Sequence, residues 1–259
     1  MFQIVTRSSF LTIATLALLS SFAPELSGSA DAATPTGKPS VAQGINSTAP
    51  RKRRRLFVPP TAPNTGRIGK SRGTATRGGN CPTVDTPLTA IVPVYNTETG
   101  AKLPVGLTTS DYPTLWFYVP YDLTPDRPAR LVMETPEPGT QYMTQQTVLE
   151  ITRLKAGIVG IPMPKSQAPL QVGQRAHWTL TILCNPKDAA ANKYADLSLQ
   201  RVAPDLKLQQ QLATATPQEQ VELYGAAGLW ENTLTTLAQL RRATPDDRTL
   251  AIDWQDLLQ

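Results

Sequence analysis

The scarcest side chains that could do chemistry in this 259-residue chain are one histidine, His177, and two cysteines, Cys81 and Cys184. A single histidine makes no cluster for zinc or copper. A Ser–His–Asp triad could still be built on His177, because triad partners are brought together by the fold and not by spacing. No G-x-S-x-G elbow accompanies it, since Gly28-Ser29-Ala30 falls in the leader and Gly37 precedes Lys38. No glycine-rich loop followed by Lys joins a strand to a helix, so phosphate cradling is unsupported. The remaining chemistry belongs to carboxylates. Two of them about 5–10 Å apart in a cleft would suit glycoside cleavage. Asp111, Asp122, Glu134 and Glu150 lie near turns or strand ends, but nothing in their spacing marks any two as neighbours. No metal and no cofactor is implied, and the expectation is a protein that is not an enzyme.

The elements that position these residues are short strands. From Ala176 onward the residues alternate: Ala176, Trp178, Leu180, Ile182 and Cys184 share one face, and His177, Thr179, Thr181 and Leu183 the other. Strand side chains point to opposite faces every second residue, so Trp178 and Cys184 face the core and His177 the outer side, in a surface or packing role. The turn before them, Leu170 to Gly173, is similar to the start of a tyrosine corner, but Ala176 stands where the tyrosine belongs. Further strands are read at 87–94, 113–121, 129–134, 141–144, 147–152, 157–162 and 194–202, with turn residues between them. In Leu115-Trp116-Phe117-Tyr118-Val119 both faces are apolar, so this strand is covered on both sides, one side open to the C-terminal helices. Trp116 and Tyr118 are read as core and not as a ligand-binding patch.

Past Pro204 the period becomes helical. Leu206, Leu208 and Leu212 sit in a Gln-rich helix, and Thr216-Pro217-Gln218-Glu219 is a capping box. Trp230, Leu234, Leu237 and Leu240 follow at helical spacing and end in Arg241-Arg242; a last helix after Pro245 carries Leu250, Trp254, Leu257 and Leu258. Tyr224, Gly228, Leu237 and Pro245 resemble half of a tetratricopeptide repeat, but no further copy exists and a solenoid needs about three. The predicted class is mainly β: an immunoglobulin-like β-sandwich over 81–203, followed by a C-terminal helical hairpin or three to four short helices over 204–259.

The leader decides the compartment. Residues 1–32 carry Arg7, an apolar run from Phe10 to Leu19 and Ala30-Asp31-Ala32, the pattern of a cleaved secretory signal peptide. The run is too short to span a bilayer, which needs roughly 20 apolar residues. The mature protein is therefore expected outside the cytoplasm, periplasmic or extracellular, with no transmembrane segment. Cysteines of exported proteins usually pair, so Cys81 and Cys184 are read as a disulfide.

Between leader and fold, residues 33–80 hold ten Lys/Arg and no Asp or Glu, whereas residues 81–259 hold 14 against 18, a net of −4. The overall charge of +5 thus belongs to one Pro/Ser/Thr/Gly-rich stretch, expected to be a disordered linker. Arg51, Lys52, Arg53, Arg54 and Arg55 are its dense point. No aromatic residue interleaves with them, so nucleic acid has no stacking platform; the cluster is read as a solvated spacer or as a contact to an anionic cell-envelope polymer or lipid.

Cys81-Pro82, Leu88-Thr89-Ala90-Ile91-Val92-Pro93, Gly106-Leu107-Thr108, residues 113–121, Gly157 through Pro162, Trp178 through Cys184 and Gly228-Leu229-Trp230 together resemble a cyanobacterial domain-of-unknown-function family, number 928. The resemblance covers about Arg77 to the C-terminus and implies a cyanobacterial exported protein without supplying an activity. The leading expectation is an exported, non-catalytic binding or scaffolding protein of the cell envelope. The alternative is a cell-envelope polysaccharide-binding protein or glycosidase.

Overall fold

The computed structural model describes residues 55–61, 71–72, 81–136, 143–185 and 187–259. All of them belong to one compact unit, Arg51–Gln259. Residues 1–32, where a signal peptide is expected, and the basic residues Arg51–Arg54 lie outside the described residues.

Among the described residues nine strands form two sheets. β1 (Thr89–Ala90), β4 (Thr114–Val119) and β7 (Gly157–Pro162) make a three-stranded sheet in the order β1-β4-β7. The other sheet has six strands in the order β2-β3-β9-β8-β5-β6: β2 (Val94–Asn96), β3 (Lys102–Thr108), β5 (Ala129–Pro136), β6 (Met143–Ile151), β8 (Arg175–Ile182) and β9 (Lys193–Arg201). Every pairing is antiparallel except β3 with β9.

The alternation in β8 does what it predicts. Ala176, Trp178, Leu180, Ile182 and, just past the strand, Cys184 are all buried. They share one core with Leu131 and Met133 of β5, Leu197 and Leu199 of β9, and Leu115, Phe117 and Val119 of β4 in the other sheet. The main core therefore lies between the sheets, and each fully buried large side chain there contributes about 1.5–3 kcal/mol. Cys184 is joined to Cys81, 103 residues earlier, which ties the entry to the fold to the strand at its centre.

Three expectations change. The stretch 87–94 is not one strand: the chain passes from β1 in one sheet to β2 in the other. β3 is not among the expected strands, because Pro104 and Gly106 punctuate it; Gly106 is closely packed, since a Cβ would sit 3.0 Å from Leu199 and 3.3 Å from Val92. The two short strands expected at 141–144 and 147–152 are the single strand β6. Its register against β5 skips Val148, a bulge that reverses the alternation midway and makes one strand look like two.

Four helices follow: α1 (Leu206–Thr214), α2 (Pro217–Ala226), α3 (Trp230–Ala243) and α4 (Arg248–Leu257). The α2 capping box forms in full, with Thr216 and Glu219 bonded reciprocally. Asp247 caps α4 by accepting from Thr249 and Leu250. The helices cover the far side of β4: Trp116 leaves the main core and packs with Trp230, Leu234, Leu237, Leu250 and Leu257. Gly160, opposite Trp116 in the β4–β7 ladder, makes room for it, because a Cβ there would lie 3.0 Å from the indole. The doubly apolar β4 is thus the middle layer between two cores.

Two pieces of the basic stretch are not free of the fold. Ala90 N–H donates to the Ser71 carbonyl at 2.7 Å, and Arg72 forms a bridge with Thr89 at the edge of β1. Residues 55–61 lie across the helices as a strap. Leu56 is buried in the helical core, Val58 N–H donates to the Gly225 carbonyl at 3.0 Å, and the Phe57 and Trp230 rings meet edge to face at 4.9 Å. The expectation of a disordered linker over 33–80 therefore does not extend to these residues.

Candidate functional site

His177 points away from Trp178, as its strand position requires, yet it is only 4% exposed. Its role is packing and not surface. Its Nδ1 lies 3.0 Å from Ser198 Oγ. Glu134, His177 and Ser198 are ladder partners on β5, β8 and β9, so they form one row across the sheet. The row lies along an open cleft of about 470 Å³, whose described lining also includes Pro136, Met143 and Arg175. Serine, histidine and carboxylate side by side invite comparison with a triad. Two features speak against a nucleophile. Ser198 is 2% exposed. It also sits within a strand with β3 and β8 on either side, and not on the sharp, exposed strand-to-helix turn that presents a nucleophilic serine.

The four candidate acids are not brought together. Glu134 accepts from Gln145 at 3.3 Å beside the cleft. Glu150 pairs with exposed Arg130 four ladder positions away, roughly 13 Å along the strand. Asp122 is held by Lys155 Nζ at 2.7 Å and the Ala156 N–H at 2.8 Å, which keep its carboxyl below the usual carboxylate range. Asp111 uses its main-chain carbonyl to accept from Leu170. A second cleft of about 380 Å³ is lined by Arg130, Val132, Gln145, Thr147, Thr181, Leu183 and Asn192. Among the described residues no group of three or more His, Cys, Asp and Glu could hold a metal ion.

The acid that sequence reasoning passed over is Glu231, 4% exposed in the first turn of α3. Thr108 Oγ1 donates to its Oε2 at 2.6 Å; Thr114 N–H and Thr235 Oγ1 donate to its Oε1, each at 2.9 Å. Thr235 Oγ1 accepts from Trp116 Nε1 at 2.9 Å, and Thr108 Oγ1 accepts from Ser110 N–H at 3.0 Å. Each hydroxyl proton is thereby committed to the carboxylate, so both oxygens act as acceptors. Burial pushes the Glu231 carboxyl up against the opposing pull of these three donors. Next to it Asn232 accepts from Thr109 N–H and donates to Thr109 Oγ1. Together they bolt α3 onto the ends of β3 and β4. The space beside Glu231 is about 10 Å³, the lower limit for one water, so the residue faces structure and not a ligand.

The second feature passed over is the seat of the strap. A Cβ on Gly225 would lie 1.8 Å from the Leu56 carbonyl oxygen, and one on Gly228 2.9 Å from Pro60 Cδ and 3.2 Å from the Val58 carbonyl oxygen. Gly225 is inside α2, where glycine costs about 1 kcal/mol relative to alanine. Its place there is explained by a backbone lying against it. Two glycines three apart at a helix end were the legible signal. The residue Arg55, exposed, starts the strap, so the basic cluster of residues 51–55 leads directly into it. Trp116 is indeed core, with Arg242 over its ring at 5.7 Å and Trp254 6.1 Å away.

These features define a two-sheet β unit, clipped by a disulfide and followed by four helices, of which α3 is bolted to the sheets. The chain belongs to the family described as Domain of Unknown Function (DUF928), whose family model matches residues 72–259. Neither a curated protein nor a solved structure matches the chain. The matched span contains the disulfide, Glu231 and both strap-seating glycines, but not the strap.

Proposed function

We propose that the protein is an exported, non-catalytic binding or scaffolding protein of the cell envelope, with the α2–α3 hairpin as its protein-binding face. One observation carries this reading: the hairpin holds an extended segment, residues 56–58, through a main-chain hydrogen bond, a buried leucine and an aromatic contact. Export is supported by the leader pattern and by the disulfide, which suits an oxidising compartment. Among the described residues no helix is long and apolar enough to cross a membrane. The buried Ser198 and the scattered acids favour binding over catalysis. Trp178 and the disulfide in one core also support reading the two sheets as a variant of the immunoglobulin-like sandwich. The described linings of the two clefts offer one acid, Glu134, and no Phe, Tyr or Trp, which supports a polysaccharide site less than the hairpin supports a protein-binding face.

Crosslinking in the native envelope tests the reading. Crosslinked partner peptides should map to residues 217–243. Turnover of an ester, peptide or polysaccharide that disappears with Ser198→Ala would overturn it. So would capture of wall or lipid material alone, lost when Arg51–Arg55 are neutralised.

A further inference from the structure

The strap and its seat have different origins in the chain. The seat is the α2–α3 junction with Gly225 and Gly228, inside the span that matches the family; the strap, Leu56 to Pro60, is outside it. The seat is shaped for a backbone and not for one particular side chain. At Gly225 the nearest atoms are the Leu56 carbonyl oxygen and carbon and Phe57 Cα, all main chain. Recognition adds one apolar side chain buried in the helical core, one aromatic ring on Trp230, and a proline ring over Gly228. Main-chain contact would supply affinity here, and the two adjacent side chains with the proline ring would supply selection.

Nothing covalent holds the strap in this seat. A single main-chain hydrogen bond joins it to α2, and Val58 is 47% exposed. Nine residues lie between Thr61 and Ser71, which with Arg72 meets β1, a contour length of up to roughly 30 Å.

We propose that the α2–α3 groove is a docking site for an extended segment of a protein partner with the pattern apolar–aromatic–x–x–Pro, and that Leu56-Phe57-Val58-Pro59-Pro60 occupies it in cis as a displaceable competitor. The proposal rests on the hairpin being the binding face and adds the chemistry of the partner and the means of its control. A seat filled by its own chain lowers the apparent affinity for a segment in trans by the fraction of molecules in which it is open. Release of the strap therefore switches the face on.

The test is fluorescence anisotropy with a labelled peptide of residues 55–61, titrated into the disulfide-intact natural chain, the strap variant Leu56→Asp with Phe57→Ala, and the strap variant that also carries Gly225→Ala. Near-UV circular dichroism and melting confirm that each is folded. The expected result is saturable binding to the strap variant at least about tenfold tighter than to the natural chain, lost with Gly225→Ala and absent for a scrambled peptide. Dimers of the natural chain at high concentration that Gly225→Ala abolishes would support the same groove, filled by the strap of a second copy. A folded strap variant that does not bind, equal binding to natural and strap-variant chains, or equal binding of the scrambled peptide would each overturn the proposal. These results leave the envelope crosslinking independent: partners can map to the hairpin although this peptide fails.

Discussion

Glu231 offers the most direct check on how the helices are held to the sheets. In Glu231→Ala the Thr114 N–H loses its acceptor and cannot turn to another, whereas the Thr108 and Thr235 hydroxyls can rotate. An orphaned buried donor costs about 1–3 kcal/mol. With the side-chain volume also lost, the substitution should destabilise the fold by about 2–4 kcal/mol. Glu231→Gln keeps the shape. Its amide oxygen can still accept from Thr114 and Thr235, but its NH2 faces Thr108, whose oxygen already accepts from Ser110. The Thr108 hydroxyl must reverse, and the cost falls to about 1–2 kcal/mol. The pH dependence separates charge from shape. Burial raises the carboxyl above its unfolded value. The folded state then binds the proton more tightly, so this group's contribution is fully present below about pH 4.3 and is lost as pH rises through the raised value. Chemical denaturation of the natural protein and Glu231→Gln between pH 4 and 8 should show their difference changing in the direction that weakens the natural protein at higher pH. A difference that is flat with pH would sink the account of Glu231 as a buried charge. Both variants unfolding within about 0.5 kcal/mol of the natural protein would sink the bolt itself.

Three further predictions follow from single contacts. Cys81→Ser with Cys184→Ser removes a link across 103 residues and should lower stability by about 4–5 kcal/mol in the chain-entropy view, read as a fall in denaturant midpoint; a loss under about 1 kcal/mol would refute it. Trp230→Phe removes the bond from its Nε1 to the Ile91 carbonyl, 2.9 Å, and should cost about 1–2 kcal/mol in the same assay. Ser198→Ala takes away the partner of His177 Nδ1 and should cost about 1 kcal/mol; unchanged stability would show that the pair does not support the fold.

Charge explains why Glu231 escaped notice from sequence alone. It stands among Asn232, Thr233 and Thr235 as an ordinary helix-start acid, and acids near a helix N-terminus are favourable whether or not they are buried. Only the approach of Thr108 and Thr114, more than 110 residues earlier, turns it into a bolt. His177 illustrates the same limit from the other side. Alternation places it opposite Trp178, but not under cover: whether that face is open depends on what packs above it.

Local chemistry was enough for much of the architecture. Period-two patterning identifies β8 and the face that Cys184 shares with Trp178, because side-chain direction in a strand is set by the strand itself. The two apolar faces of β4 already call for a layer on each side, and the capping box at Thr216 starts α2 where it is expected, since caps are satisfied within one turn. What needed the tertiary structure is everything set by distant partners: the division of the strands between sheets, the parallel β3–β9 pair, the burial of Glu231 and the seat of the strap. Gly225 shows why. A glycine in a helix reads as a weakness until the Leu56 carbonyl is placed 1.8 Å from its missing Cβ, and no rule confined to neighbouring residues can bring that carbonyl there.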